Sequence, residues 1–336
     1  HKDTSMSKKK KTEFGIAMRN FTKYPEMPSA AELIDYGVRM EELGYESVWA
    51  WDHILLGVEP NFPIHEALII LTAIAARTKK IKVGTWIANI YTRMPVIAAA
   101  TSLTIQELSG GRMVLGLGVS HKPVNDRFGI DMGDPIEKMR EYVTSVRSFM
   151  DGTAPQLTLK RNLPKVPIYI AGLTKGAATL AGEVADGIFP YLSTPEYVKN
   201  LREYVAEGAK NAGRDPSEVD ITLGIPVFIS DDIELARTTG KKGLSNYLRL
   251  PFYQRIVRNN GFGDVIDAIN GGANPVEVFS DELLDAIALV GPADRCRARL
   301  EDYTKAGVSL AVILPGGAGK QTPIEAMKVA AETFGS

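Results

Sequence analysis

Eight short apolar runs, each followed by a helix-like pattern, constrain the fold of this chain more than any other feature. The clearest run is Met113–Leu117, which follows a Gly-Gly pair and is too short for a helix. Apolar residues without polar alternation are typical of a parallel strand that is buried on both faces. We predict the other seven strands at 14–18, 46–51, 80–87, 166–172, 186–190, 220–229 and 308–314.

The segments between these runs carry the start signals of helices. Ser29 and Glu32 have the spacing of a capping box, and Pro95 stands where a helix tolerates proline. Helices are predicted over 29–43, 64–78, 95–108, 135–149, 177–184, 194–212 and 323–334, with irregular segments at 122–134 and 151–165.

Regular alternation of strand and helix predicts an α/β fold in which residues 12–336 form one TIM (β/α)8 barrel domain. An open, doubly wound sheet is the alternative, but eight regular units fit a closed barrel better. Residues 232–302 separate the seventh and eighth strands and are largely helical in pattern. We therefore predict a helical insertion that covers one rim of the barrel.

Composition limits the classes of function. The chain has 336 residues, and its 39 Lys and Arg nearly balance its 40 Asp and Glu, so neither nucleic acid nor a membrane is an expected partner. No apolar run approaches the ~20 residues of a membrane-spanning helix. The single cysteine, Cys296, cannot form an internal disulfide, which favours the cytoplasm. Residues 1–11 are interpreted as a disordered leader or tag remnant.

Several polar and aromatic residues follow the predicted strands directly. In a barrel, the carboxyl ends of all strands meet at one mouth, where the active site lies. Two of the four histidines, His53 and His121, fall there and could move a proton, although each could instead bond only a backbone carbonyl. The full set is Asp52, His53, Trp86, Ile87, Ala88, Asn89, Val119, Ser120, His121, Gly172, Leu173, Thr174, Lys175 and Tyr191.

The stretch from Ala171 to Ala177 reads as a strand, a glycine turn and a helix start. Backbone N–H groups at such a start favour a phosphate, and Thr174 and Lys175 could add a hydroxyl and a charge. The alternative is a tight turn that needs glycine for its shape alone. Trp86 could stack beside a flat ring or simply fill the core.

Other chemistries are not indicated by the motifs. The chain has neither a His-x-x-x-His pattern nor a cysteine cluster, so no metal site is expected. The Gly-x-Ser-x-Gly motif of serine hydrolases is absent as well. Of the paired tryptophans, Trp49 and Trp51, we expect one to point into the core and the other against a helix.

The chain resembles the luciferase-like monooxygenase superfamily of flavin- and deazaflavin-dependent barrels. The stretch Gly116–His121 and the helix segment Met139–Tyr142 are similar to the branch that uses coenzyme F420, and the same framework also hosts FMN enzymes. The matching pieces are 43–49 with Asp52 and His53, 81–85, 108–118, 170–172, 181–187 and 290–292.

The resemblance implies a bacterial-luciferase-like barrel with the cofactor ring over its mouth. Asp52, His53, Ala88 and Asn89 would border the ring, in front of a cis peptide near Trp86 and Ile87. Val119, Ser120 and His121 would meet the ring edge or the cofactor side chain. Gly172, Leu173, Thr174 and Lys175 would hold the phosphate. Ile54–Gly57 stands where some deazaflavin dehydrogenases carry a tryptophan, so a sugar-phosphate dehydrogenase is not expected.

The resemblance favours an F420-dependent oxidoreductase that moves a hydride between the deazaflavin and a small organic substrate. His53 and His121 would be its catalytic residues, and the enzyme would be a homodimer. An FMN-dependent monooxygenase and a non-catalytic flavin-binding barrel are the alternatives.

Overall fold

The structure, a computed structural model, describes residues 13–20, 28–52 and 64–335. The predicted leader and His53 lie outside these residues. The strands are β1 (Glu13–Met18), β2 (Ser47–Ala50), β3 (Lys82–Thr85), β4 (Ala88–Asn89), β5 (Met113–Gly118), β6 (Ile168–Ala171), β7 (Gly187–Phe189), β8 (Asp220–Ile229), β9 (Leu289–Gly291) and β10 (Leu310–Pro315).

The helices lie between the strands and after the last one. They are α1 (Ala30–Glu42), α2 (Ala67–Arg77), α3 (Pro95–Ser109), α4 (Lys122–Arg127), α5 (Pro135–Asp151), α6 (Lys175–Val184), α7 (Pro195–Asn211), α8 (Ile233–Leu244), α9 (Pro251–Asn259), α10 (Gly263–Asn270), α11 (Pro275–Val278), α12 (Asp281–Ile287), α13 (Ala293–Ala306) and α14 (Pro323–Gly335). Two 3-10 helices span Pro216–Glu218 and Ser245–Arg249.

Eight parallel strands close into a barrel, which confirms the predicted (β/α)8 fold. The strand order is β1, β2, β3, β5, β6, β7, β8, β10, and β10 pairs with β1 to close the ring. The short β4 follows β3 at the third strand position of the barrel and pairs with the end of β5. Every residue of β5 is buried, as a strand covered by helices on one face and by the barrel interior on the other must be.

Aromatic side chains fill the interior of the barrel. Trp86 stacks on Phe189, with ring centroids 5.1 Å apart and planes 3° from parallel. A Cβ on Gly224 would lie 2.3 Å from Trp86 Cζ2, so only glycine leaves room for this indole. Trp49 packs against Phe189 and Trp51 against Trp86. The expectation that only one of Trp49 and Trp51 points into the core was wrong, because both belong to the same interior aromatic cluster.

Caps fix several of the surrounding helices where the sequence indicated them. Ser29 and Glu32 form the predicted capping box of α1. Thr194 caps α7, and Gly110 ends α3 in the left-handed conformation. Among the described helices, none is both long and apolar enough to cross a bilayer.

Several elements differ from the prediction, and three of them change the elements around the mouth or add a strand. Residues 122–134 begin with α4 rather than with a loop, because Pro123 stands in its first turn after His121 as the N-cap. Helix α2 begins at Ala67 rather than at 64, since the Glu66 side chain accepts the Ile69 N–H and caps it there. The strand β9, which pairs with the end of β8, was not anticipated.

The chain between β8 and β10 is mostly helical. It contains α8 to α13, the second 3-10 helix and β9. Rings from the 3-10 helix and α9 contact rings on the strand exits, so this part of the chain lies over the mouth. The predicted insertion limit at residue 302 falls within α13.

Candidate active site

The carboxyl ends of the strands carry the predicted site residues to one mouth. Asp52 follows β2, Asn89 ends β4, His121 follows β5, and Gly172 follows β6. The peptide bond between Trp86 and Ile87 is cis, as the resemblance predicted. His53 lies outside the described residues, so its role stays a prediction.

Asp52 is held in a buried ion pair. Its side chain is 3% exposed, and both of its carboxylate oxygens accept from the Arg93 guanidinium. Arg93 also pairs with Glu66. Burial alone would lower the pKa of Arg93, but the hydrogen bonds and charges of the two carboxylates outweigh it and raise that pKa. The charge of the Asp52 carboxylate at this strand end is therefore balanced by the Arg93 guanidinium.

A chain of hydrogen bonds joins the third and fourth strand exits. The Asn89 N–H donates to Asp52 Oδ2 at 3.3 Å, and Asn89 Nδ2 donates to Asn125 Oδ1 at 3.3 Å. Asn125 Nδ2 donates in turn to the Val119 carbonyl at 2.9 Å. Asn89 and Asn125 are both buried. These bonds fix the wall of the mouth between β4 and β5.

The Asn20 side chain links the chain after β1 to the chain after β2. Its Nδ2 donates to the carbonyls of Trp51 and His65, and its Oδ1 accepts the Trp51 N–H at 2.8 Å. The residue is fully buried. The position of Trp51, and hence of the adjoining Asp52, is fixed by this side chain.

Two residues at the mouth have unusual backbone angles. Ser120 has φ of 57° and Leu192 has φ of 54°, in the left-handed region that side chains other than glycine rarely adopt. Such conformations cluster at ligand sites, where surrounding contacts hold them. Ser120 lies between Val119 and His121, both predicted to face the cofactor.

His121 is the described histidine at the mouth. It is the N-cap residue of α4, and its ring lies 6.0 Å from that of Phe252 and 5.9 Å from that of Tyr253. Burial lowers the pKa of His121 below its ordinary value of 6.5. The imidazole is therefore neutral at pH 7, with one nitrogen able to donate a hydrogen bond and the other able to accept one.

Tyrosines from the segment between β8 and β10 cover the mouth. The Tyr191 ring lies 5.6 Å from that of Tyr247 and 5.9 Å from that of Tyr253, and the last two lie 4.9 Å apart. Burial raises the pKa of Tyr191 and of Tyr253. Their hydroxyls stay protonated, so this cover is aromatic and uncharged.

The turn after β6, predicted to hold a phosphate, joins a glycine to the capped start of α6. A Cβ on Gly172 would lie 2.4 Å from the Ala177 Cβ, so glycine is needed for the strand end to approach α6 this closely. Thr174 Oγ1 accepts the Ala177 N–H at 3.2 Å. The N–H groups of Lys175 and Gly176, earlier in the same turn, have no acceptor within the helix. Tyr197 supports the turn by donating to the Leu173 carbonyl.

The Lys175 side chain lies along α7. Its ammonium is 3.4 Å from Glu207 and 5.2 Å from the centre of the Tyr204 ring, and it is 61% exposed. Trp86, predicted beside the cofactor, is buried inside the barrel, with its ring 4.9 Å from that of Trp51 and 5.6 Å from that of Tyr191.

Sequence reasoning missed the residues that hold the site together. Asn20, Arg93 and Asn125 each bond partners more than 30 residues away, so local periodicity gives no sign of them. One weak signal existed for Asn125, because it stands one helical turn after His121. Tyr247 and Tyr253 fall in a segment whose pattern indicated only helices.

The described residues thus form a closed parallel barrel with tyrosine rings over its mouth and the start of α6 beside it. Residues 12–310 match the luciferase-like monooxygenase family. The chain belongs to this family, and it is an oxidoreductase of the luciferase-like class.

Individual relatives agree with that assignment. The chain is 28% identical over 315 residues to 5,10-methylenetetrahydromethanopterin reductase of Methanolobus tindarius, covering 88% of this chain and 93% of that one. Its fold is similar to the coenzyme F420 dependent tetrahydromethanopterin reductase from Methanopyrus kandleri, with a TM-score of 0.76, 22% identity, and coverage of 96% and 98%. It is also similar to an oxygenating constituent of 3,6-diketocamphane monooxygenase from Pseudomonas putida in complex with FMN, with a TM-score of 0.66, 20% identity, and coverage of 91% and 92%.

Proposed function

We propose that this protein uses coenzyme F420 to transfer a hydride to or from a small organic substrate. The observation that carries this proposal is the alignment with a methylenetetrahydromethanopterin reductase over most of both chains. The covered mouth supports it, because hydride transfer needs reactants held face to face and shielded from water.

The residues present fit such a cofactor. Gly172 lets the end of β6 pack directly against α6, because a Cβ there would lie 2.4 Å from the Ala177 Cβ, and the turn leads into the first amides of α6. These amides and the positive end of the helix dipole favour a phosphate. Because the Lys175 ammonium is engaged by Glu207 and Tyr204, we assign phosphate binding to the backbone of Thr174–Gly176 rather than to that side chain.

When bound, the deazaflavin would supply the hydride-carrying carbon. The protein's residues would do the rest. Asn89 and Val119, fixed by Asn125, would set the ring edge, and Tyr247 and Tyr253 would exclude water from above. His121, neutral at pH 7, would hold or accept a proton at a ring nitrogen as the substrate changes its protonation. His53 remains the second proposed proton carrier.

Cofactor titration tests the proposal directly. The three tryptophans, Trp49, Trp51 and Trp86, all belong to the interior aromatic cluster below the mouth, so their fluorescence reports on it. Purified protein titrated with oxidised F420 is expected to show saturable quenching, with FMN at least about tenfold weaker, which corresponds to about 1.4 kcal/mol.

FMN binding tighter than F420 binding would instead favour the FMN-dependent monooxygenase. That alternative is supported by the structural similarity to an FMN-bound oxygenase. Quenching by neither cofactor would leave the non-catalytic barrel as the better description.

A Gly172→Ala variant tests the phosphate cradle. The added methyl must push the β6 exit away from Ala177, so the first amides of α6 move. We expect the dissociation constant of F420 to rise at least about tenfold, or about 1.4 kcal/mol. Gly243→Ala is the control, because its Cβ would lie 3.7 Å from Phe228, an ordinary contact. Equal affinity in both variants would place the phosphate elsewhere.

A further inference from the structure

We propose that Asn125 is a positioning residue of the redox site, holding the third and fourth strand exits at the separation that the cofactor ring requires. This inference rests on the proposed function. Asn125 is fully buried on α4, behind the mouth, and it touches Asn89 on one side and Val119 on the other. Both neighbours are among the residues that are predicted to contact the cofactor.

The direction of each hydrogen bond in this chain is fixed by its ends. The Val119 carbonyl can only accept, so Nδ2 of Asn125 faces it at 2.9 Å and Oδ1 faces the other way. The Tyr91 N–H can only donate, so Asn89 Oδ1 faces it at 3.0 Å and Asn89 Nδ2 faces Asn125. The two orientations are consistent with each other, because Asn89 Nδ2 then faces Asn125 Oδ1, and each amide has a single orientation.

Only a short side chain with both a donor and an acceptor satisfies this position. Aspartate would lack the donor for the Val119 carbonyl, and leucine, which has the same branching of heavy atoms, would leave that carbonyl and Asn89 Nδ2 unpaired. The backbone of Asn125 adds a further tie, because its N–H donates to the His121 carbonyl at 3.0 Å. Asn125 therefore controls the turn Val119–His121, in which Ser120 has its left-handed conformation.

Asn125 also fixes the neighbouring strand end, because it bonds Asn89 at the end of β4. Asn89 pairs with Gly118 in the ladder between β4 and β5, and its N–H donates to Asp52. Without the Asn125 amide, β4 keeps its ladder contacts but the residues beyond Gly118 lose their link to it. We expect the gap to widen on the Val119 side while the rest of the barrel is unchanged.

The test compares Asn125→Leu with Gln106→Leu. Gln106 is an equally buried amide at the opposite end of β5, where it accepts the Met113 N–H and donates to the Pro164 carbonyl. Both variants remove buried hydrogen bonds, so both lose stability. Only Asn125→Leu is expected to raise the dissociation constant of F420 by at least about tenfold, or about 1.4 kcal/mol. An equal affinity in the two variants overturns the proposal.

Amide hydrogen exchange separates this inference from the proposed function. It is measured on the cofactor-free protein, in which Asn125→Leu should speed exchange in segments 88–90 and 118–121 and Gln106→Leu should not. Failure of the wild type to bind any cofactor would contradict the proposed function. Unchanged exchange in these two segments would contradict the positioning role of Asn125, whatever the wild type binds.

Asn125→Asp provides a pH signature and a second variant if the leucine protein does not fold. A protonated carboxyl group has the donor that the Val119 carbonyl needs, and burial raises the pKa of such a group. We expect F420 affinity in this variant to increase as the pH falls, relative to the wild type. Other titratable groups near the position are common to both proteins: His121, Asp52, Arg93, Lys122 and Asp126. Parallel pH profiles in the two proteins would contradict the proposal.

Discussion

Replacing Arg93 with methionine is expected to lower the free energy of unfolding by about 3–5 kcal/mol, the usual cost of removing one partner from a buried ion pair. Within the part of the chain that the structure describes, the Asp52 side chain, 3% exposed, would keep only the bond from the Asn89 N–H and no opposite charge. Glu66 would also lose its cation, although it is 28% exposed and partly hydrated. Denaturant unfolding of the variant and the wild type measures the difference.

Two further variants show whether the effect comes from the unpaired carboxylate. Arg77→Met removes an arginine from the exposed pair with Asp35, so the change should stay within about 1 kcal/mol. Adding Asp52→Asn to Arg93→Met should restore much of the lost stability, because no buried charge is then left at that exit. A loss below about 1 kcal/mol for Arg93→Met alone would mean that Asp52 reaches water without its partner.

The barrel was predictable from sequence because its signals are local and repeated. Run Met113–Leu117 predicted β5 to within one residue, and the Ser29 cap predicted the start of α1. Each signal depends on a few adjacent residues, and eight repeats of the same unit leave few topologies. Errors occurred where the signal was short, as at α4, whose six residues show less than two turns of pattern.

The candidate site was predictable only in outline. Strand ends could be located, so His121, Asn89 and Gly172 were placed at the mouth correctly. The side chains that fix them could not be found, because Asn20 and Arg93 bond partners 31 and 41 residues away. A lone polar residue in a loop has no period, and its burial depends on the closed barrel. The same limit applied to Lys175, whose helix-start position gave no sign of its contact with α7.

The resemblance supplied what the physical pattern could not. The cis bond between Trp86 and Ile87 and the preference for F420 came from the family, since neither has a local signature in this chain. Periodicity therefore predicted the barrel, and the resemblance predicted the cofactor and the reaction. The polar network that holds the strand ends together is seen only in the structure.

Replacing His121 with alanine is expected to reduce turnover by about 10²- to 10⁴-fold, the range for loss of a general acid or base. The F420 dissociation constant should change only a few-fold, because Asn125, Asn89 and the α6 turn remain in place. His65→Ala is the matched control. Its Nε2 bonds the Pro28 carbonyl at 2.9 Å, a structural contact, so turnover should be unaffected. Steady-state kinetics with a reducible substrate, together with cofactor titration, measures both quantities.

The pH dependence of stability gives a readout of His121 that needs no substrate. Burial lowers its folded-state pKa below the 6.5 of the unfolded chain. Between those two values the unfolded state binds the extra proton, so the free energy of unfolding falls as the pH falls through this window and levels off below it. His121→Ala should lose that part of the slope, while His65→Ala keeps it. A variant with normal turnover and the wild-type slope would show that His121 is neither buried in its neutral form nor part of the reaction, and the proton would then have to be assigned to His53.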